Sequence, residues 1–76
     1  MESKEEILQN FGRILLEAIE SKGISIRKLA LASGLEYTQV QRITKGKVNL
    51  ELSTVIALCN GLEITPAELF RHWNDH

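Results

Sequence analysis

The residues best equipped for chemistry lie in the middle of this 76-residue chain. Tyr37, Thr38, Gln41, Arg42 and Lys45 recur at i, i+1, i+4, i+5 and i+8, which sets them along one side of a helix. Hydroxyl, carboxamide, guanidinium and ammonium groups in one row make a surface rich in hydrogen-bond donors. Arg27, Lys28, Lys47 and Asn49 flank that row in sequence. A surface of this kind suits a polyanionic partner; the plainer alternative is a solvated polar face.

The overall charge of −1 argues against such a partner until its distribution is read. Residues 1–24 hold three bases and five acids, and residues 50–76 hold one base and four acids. Residues 25–49 hold five bases and only Glu36 as an acid. Local clustering, not total charge, makes an electrostatic footprint. Catalytic chemistry has no comparable support. No nucleophile sits beside a base, and no phosphate-binding loop occurs. The chain is therefore read as a non-enzyme without a cofactor. His72, Asp75 and His76 cluster near the C-terminus but lack a second group of ligands, so no metal site is assigned. Cys59 falls between apolar positions and is read as a buried structural thiol.

The elements that position the donor row are all helical. Ser3 and Glu6 form an S-x-x-E start signal, and Ile7, Phe11, Ile14, Leu15, Ala18 and Ile19 follow at helical spacing up to a stop at Gly23. Ser25 caps a second helix that ends at Gly34. A third covers Tyr37–Lys45, with Val40 and Ile43 facing inward, and Gly46 closes it. The fourth is expected over about Glu51–Asn60, stopped by Gly61. Thr65-Pro66-Ala67-Glu68 starts a fifth, taken as far as about residue 74. The fold class is all-α: a compact bundle of five short helices in one domain, residues 1–76. No apolar run approaches a membrane span, and Met1–Glu6 is no signal peptide, so a cytoplasmic protein is expected. Beginning at Met1, the chain reads as a complete small protein.

The positional pattern from Ser25 to Lys47 ties these helices to a function. Leu29-Ala30, three residues, Gly34-Leu35, four residues, Val40, two residues and Ile43 follow in order. Ala30 is small where two helices cross, Gly34 makes the turn, and Leu35, Val40 and Ile43 fix the third helix on the core. The polar row then projects outward at a set angle, ready to enter a major groove. With Phe11-Gly12, Lys22-Gly23-Ile24-Ser25, Ser33-Gly34-Leu35, Arg42-Ile43, Gly46-Lys47 and the run Gly61–Phe70, this pattern resembles the lambda-repressor-like helix-turn-helix family, the Cro/repressor or xenobiotic-response-element type.

That resemblance implies double-stranded DNA as the partner, with a helix-turn-helix unit over about 25–46. By position it assigns Tyr37, Thr38, Gln41 and Arg42 to base reading, with thymine methyl groups or phosphates as the alternatives for Tyr37 and Thr38. Arg42 would pair with guanine and Gln41 with adenine. It places Arg27, Lys28, Lys45, Lys47 and Asn49 on the DNA backbone. It also implies a homodimer on a palindromic operator, with Phe70 and Trp73 at the interface; Ile7 and Leu8, on the part of the first helix that precedes the match, could add to it. Small proteins of this type include phage repressors and controllers of restriction–modification systems. With no ligand domain, no small-molecule ligand is expected, and regulation would follow concentration and cooperative dimerisation.

Several positions depart from the family. Ile26 replaces a glutamine that commonly helps to contact DNA. Glu36 stands where Ser or Thr usually caps the third helix; it suits the helix dipole, and a cytosine amine is the other option. Ile19 and Thr44 stand where an arginine and a glutamate often pair, and both charges are gone together. Leu50 replaces a common proline. The rival reading is a protein-interaction module whose helix-turn-helix no longer reads DNA.

Overall fold

Ser3 and Glu6 close the capping box expected of them. Ser3 Oγ accepts from the Glu6 amide at 3.1 Å, and Glu6 Oε1 accepts from the Ser3 amide at 2.9 Å. These bonds hold the Glu6 carboxyl below its ordinary range, the backbone donor contributing most. The helix so started, α1, spans Lys4–Lys22 of the computed structural model, which describes residues 1–74. Gly23 ends it at φ 67, in the left-handed region.

Helix α2 covers Ile26–Ser33, with Ser25 Oγ accepting from the Lys28 amide at 3.0 Å. Gly34 turns the chain at φ 72, and α3 follows over Tyr37–Thr44. Lys45, expected inside α3, is its C-cap. Helix α4 spans Leu52–Leu62 and α5 spans Pro66–Phe70, the latter closed by a capping box between Thr65 and Glu68.

Two helix ends differ from the sequence reading. Gly61 does not stop α4; it lies inside the helix, and Glu63 takes the left-handed cap at φ 58. Gly61 is small because α2 passes against it. A Cβ there would collide with Ser33 Oγ and come within 3.0 Å of Leu29 Cδ1. Helix α5 also ends earlier than residue 74. Beyond Phe70 the backbone tightens into turns, with the Trp73 amide donating to Phe70 O at 3.1 Å.

One core joins all five helices. Leu15 of α1, Leu29 of α2, Val40 of α3 and Leu58 of α4 are fully buried, and Leu69 of α5 is 2% exposed. Each such side chain contributes roughly 1.5–3 kcal/mol of transfer free energy. Ala30 is buried too, as its small size at a crossing predicts. Gly12 is a second close approach: a Cβ there would lie 2.5 Å from Thr44 O and 2.9 Å from Ile43 O. Helix α1 therefore lies directly on the C-terminal turn of α3 and sets its depth.

Candidate nucleic-acid interface

Val40 and Ile43 face inward from α3 at 0% and 1% exposure, so the opposite side of that helix must face solvent. Thr38, Arg42 and Lys45 are exposed there, and Tyr37 and Gln41 are half-buried at its flank. Gly46 adopts φ 70, and the Lys47 amide donates to Arg42 O at 3.0 Å, folding the following loop back on the helix. Val48 and Leu50 pack against the core and leave Lys47 and Asn49 exposed between and beside them. The apolar Leu50 thus fastens this loop to the core.

Arg27 and Lys28 are exposed on the first turn of α2. All the bases assigned to DNA are thus brought to the surface of the α2–α3 unit or its adjoining loop. Among the described residues, none of these cations is paired with a carboxylate; the one ion pair is Arg13–Glu17 at 3.0 Å. The Arg27 guanidinium instead lies over the Tyr37 ring, 4.3 Å from its centroid. Gln39 is also exposed, in the first turn of α3 beside the loop of Val48 and Asn49. The spacing rule passed over it because it falls off the row, yet its carboxamide on that turn was the available signal.

The departures have local explanations. Ile26 packs partly against the core. Glu36 is the N-cap residue of α3 and makes no side-chain cap hydrogen bond, so its fit to the helix N-terminus is electrostatic only. Ile19 is buried among apolar neighbours, and the Thr44 hydroxyl donates to Gln41 O at 2.7 Å. Neither position leaves an unpaired charge.

The N-terminal half of α1 and the C-terminal turns are held together by a hydrogen-bonded seam. Arg13 Nη2 donates to Asn10 Oδ1 at 2.7 Å, His72 O at 2.8 Å and Trp73 O at 3.2 Å. Asn10 Nδ2 donates to Trp73 O at 2.9 Å. The seam holds the C-terminal turns against α1 and supports an aromatic series. Phe11 and Phe70 lie 5.8 Å apart and Phe70 and Trp73 5.6 Å apart, centroid to centroid. Phe70 remains 38% exposed, whereas Trp73 is half-buried against its own core. Ile7 is 41% exposed along α1. Cys59 is buried as read from sequence, and desolvation pushes its thiol pKa up.

No group of three metal-ligating side chains occurs among the described residues. Asp75 and His76 of the terminal cluster lie outside them. No described helix is long and apolar enough to cross a membrane.

Similarity to known proteins follows this geometry. Comparison with curated proteins gives no match. Among solved structures, the restriction–modification controller protein C.AhdI from Aeromonas hydrophila is 38% identical, with a TM-score of 0.79, over 83% of this chain and 96% of that one. The controller protein C.Esp1396I shares the fold at a TM-score of 0.85 and 22% identity, covering 91% of each chain. ClgR, the clp gene regulator from C. glutamicum, shares it at a TM-score of 0.85 and 19% identity, over 91% of this chain and 88% of that one. Residues 15–75 match the sequence model of the Cro/C1-type HTH DNA-binding domain, a span that holds the whole α2–α3 unit and its loop. The chain belongs to the Cro/C1-type helix-turn-helix DNA-binding family.

Proposed function

We propose that this chain is a sequence-specific transcription regulator that binds double-stranded DNA as a homodimer, with α3 in the major groove. The observation that carries this reading is the unpaired cation set of residues 25–49, exposed around a helix whose depth is fixed by Val40, Ile43 and Gly12. Thr38, Gln41, Arg42 and Gln39 are the base-reading candidates, with Tyr37 at their edge. Arg27, Lys28, Lys45, Lys47 and Asn49 are the backbone contacts.

A protomer measuring 34 × 22 × 19 Å presents one such helix. Reading two successive major grooves, about 34–36 Å apart, requires a second copy. The exposed Phe70, the Trp73 ring beside it and the exposed Ile7 of α1 supply the apolar surface assigned to that contact. The 38% identity to C.AhdI favours a restriction–modification controller over a phage repressor as the biological setting.

Selection from a random duplex library, followed by affinity measurement across salt concentrations, tests the proposal. A palindromic consensus and a steep salt slope are expected. Arg42→Ala should lower discrimination at one base pair by roughly 1–3 kcal/mol. No enrichment at low salt with folded protein would overturn DNA reading and favour a protein partner.

A further inference from the structure

We infer that Arg27 and Tyr37 act as one preorganised phosphate-binding unit, with Tyr37 positioning the Arg27 guanidinium instead of reading a base. This rests on the DNA-binding reading above and changes the role of one residue within it. Arg27 is the second residue of α2 and Tyr37 is the first of α3, so the pair bridges the turn. The guanidinium carbon lies 4.3 Å from the ring centroid.

A stack of this kind occupies a face of the guanidinium. Its five N–H donors lie in the plane and remain available at the edge. No carboxylate among the described residues pairs with Arg27; Glu36, the nearest acid in sequence to Tyr37, is exposed at the α3 N-cap and forms no ion pair with the guanidinium. The stack therefore orders a long side chain while leaving its charge and donors uncommitted. Ordering before binding removes an entropy loss that a free arginine incurs on the phosphate.

The same contact commits the Tyr37 ring to α2. The ring is half-buried, beside a surface of Ala30, Leu31 and Leu35, whereas Thr38, Arg42 and Lys45 are exposed on the outer side of α3. Tyr37 thus stands at the edge of the reading row and supports a contact made from another helix. An exposed stack of this type is worth about two- to fivefold in an equilibrium constant.

The test compares binding to the selected operator and to an unrelated duplex, across salt, for five variants. Tyr37→Leu is expected to weaken binding to both duplexes by the same few-fold factor. Tyr37→Phe, which keeps the ring and so the stack, should lose less affinity than Tyr37→Leu and lose it equally on both duplexes. Arg27→Ala should lower the salt slope by about 0.9, the share of one phosphate. Adding Tyr37→Leu to Arg27→Ala should cost nothing further. Arg27→Lys should recover little, because an ammonium has no plane to stack.

Relaxed preference at one base pair in Tyr37→Phe would overturn the inference by making the hydroxyl a base reader. Additive losses in the double variant would overturn it while leaving DNA binding intact. Absence of duplex binding by folded wild-type protein would overturn both readings together. If Tyr37→Leu does not fold, Nε–H relaxation of Arg27 in wild type and Tyr37→Phe reads the stack directly. An ordered guanidinium in both supports the unit, and a freely moving one overturns it.

Discussion

Two arginines, Arg13 and Arg42, show how one side-chain type does opposite work in two regions. Arg13 directs its donors at Asn10, Glu17 and the carbonyl oxygens of His72 and Trp73. Its charge is neutralised, and its hydrogen bonds join residues about sixty positions apart in sequence. Arg42 is exposed and has no carboxylate partner among the described residues. The seam uses charge to hold the fold, and the exposed side of α3 keeps it available. Electrostatic potential can recruit a ligand only where the protein has left it uncompensated.

Gly12 is where the two regions depend on each other, and Gly12→Ala should have the largest effect. The new Cβ meets main-chain oxygens of Ile43 and Thr44, which cannot rotate away. Overpacking of this kind destabilises by about 1–3 kcal/mol, beyond the roughly 1 kcal/mol that alanine adds to helix propensity. Helix α3 must also shift outward, so operator affinity should fall with stability. Denaturant titration and duplex binding on the same variant check this. Unchanged values in both would break the link between α1 and α3.

Arg42→Ala and Arg13→Ala should then separate the regions. On the proposed reading the first lowers discrimination at one base pair and leaves stability within about 0.5 kcal/mol, as befits an exposed site. The second removes several charge-assisted bonds from a partly exposed group and should lower stability by about 1–2 kcal/mol. Its operator preference should not change. Thermal melts and the sequence selectivity of each variant give the four values needed. A stability loss in Arg42→Ala similar to that of Arg13→Ala would erase the distinction.

Buried chemistry gives a smaller, kinetic signature. The Cys59 thiol is desolvated within the core, so a thiol reagent should react only as fast as the chain opens. Arg13→Ala should speed that reaction in proportion to its loss of stability, and Arg42→Ala should not. Fast labelling of folded wild-type protein would contradict the packing around α4.

The elements around the reading face were largely legible in the sequence, because their signals are local. Ser25 and Gly34 bound α2, and the period of Val40 and Ile43 fixes which way α3 faces. Gly61 misled because a glycine serves equally as a stop and as a place for another helix to pass. Only the position of Ser33 on α2 decides between them. The seam was not legible at all. Arg13 bonds to backbone carbonyls, which every residue carries, so no residue type at the far end announces it. The row on α3 was readable from spacing, but the tie of Tyr37 to Arg27 joins two helices across ten positions and has no periodic signal.

The capping boxes offer the smallest and most selective test of the comparison, since both Glu6 and Glu68 lie outside the α2–α3 unit. The Glu68 carboxyl is held below its ordinary value of 4.5, first by the Thr65 amide and then by the Thr65 hydroxyl, with small help from Arg71 and Lys22. A carboxyl lowered by folding stabilises at pH above its unfolded pKa, and that contribution disappears as pH falls through the folded pKa. Melting temperature should therefore decline with acidification below about 4.5, partly through this group. Glu68→Gln keeps an acceptor for the cap and removes the titration, so its acid limb should be shallower while its stability near neutrality changes little. Because Glu68 lies in the first turn of the helix that carries Phe70, any residual loss should appear in the proposed dimer contact and not in base preference. A change in operator preference in Glu68→Gln would mean that the C-terminal region reaches the reading face by a route other than Gly12.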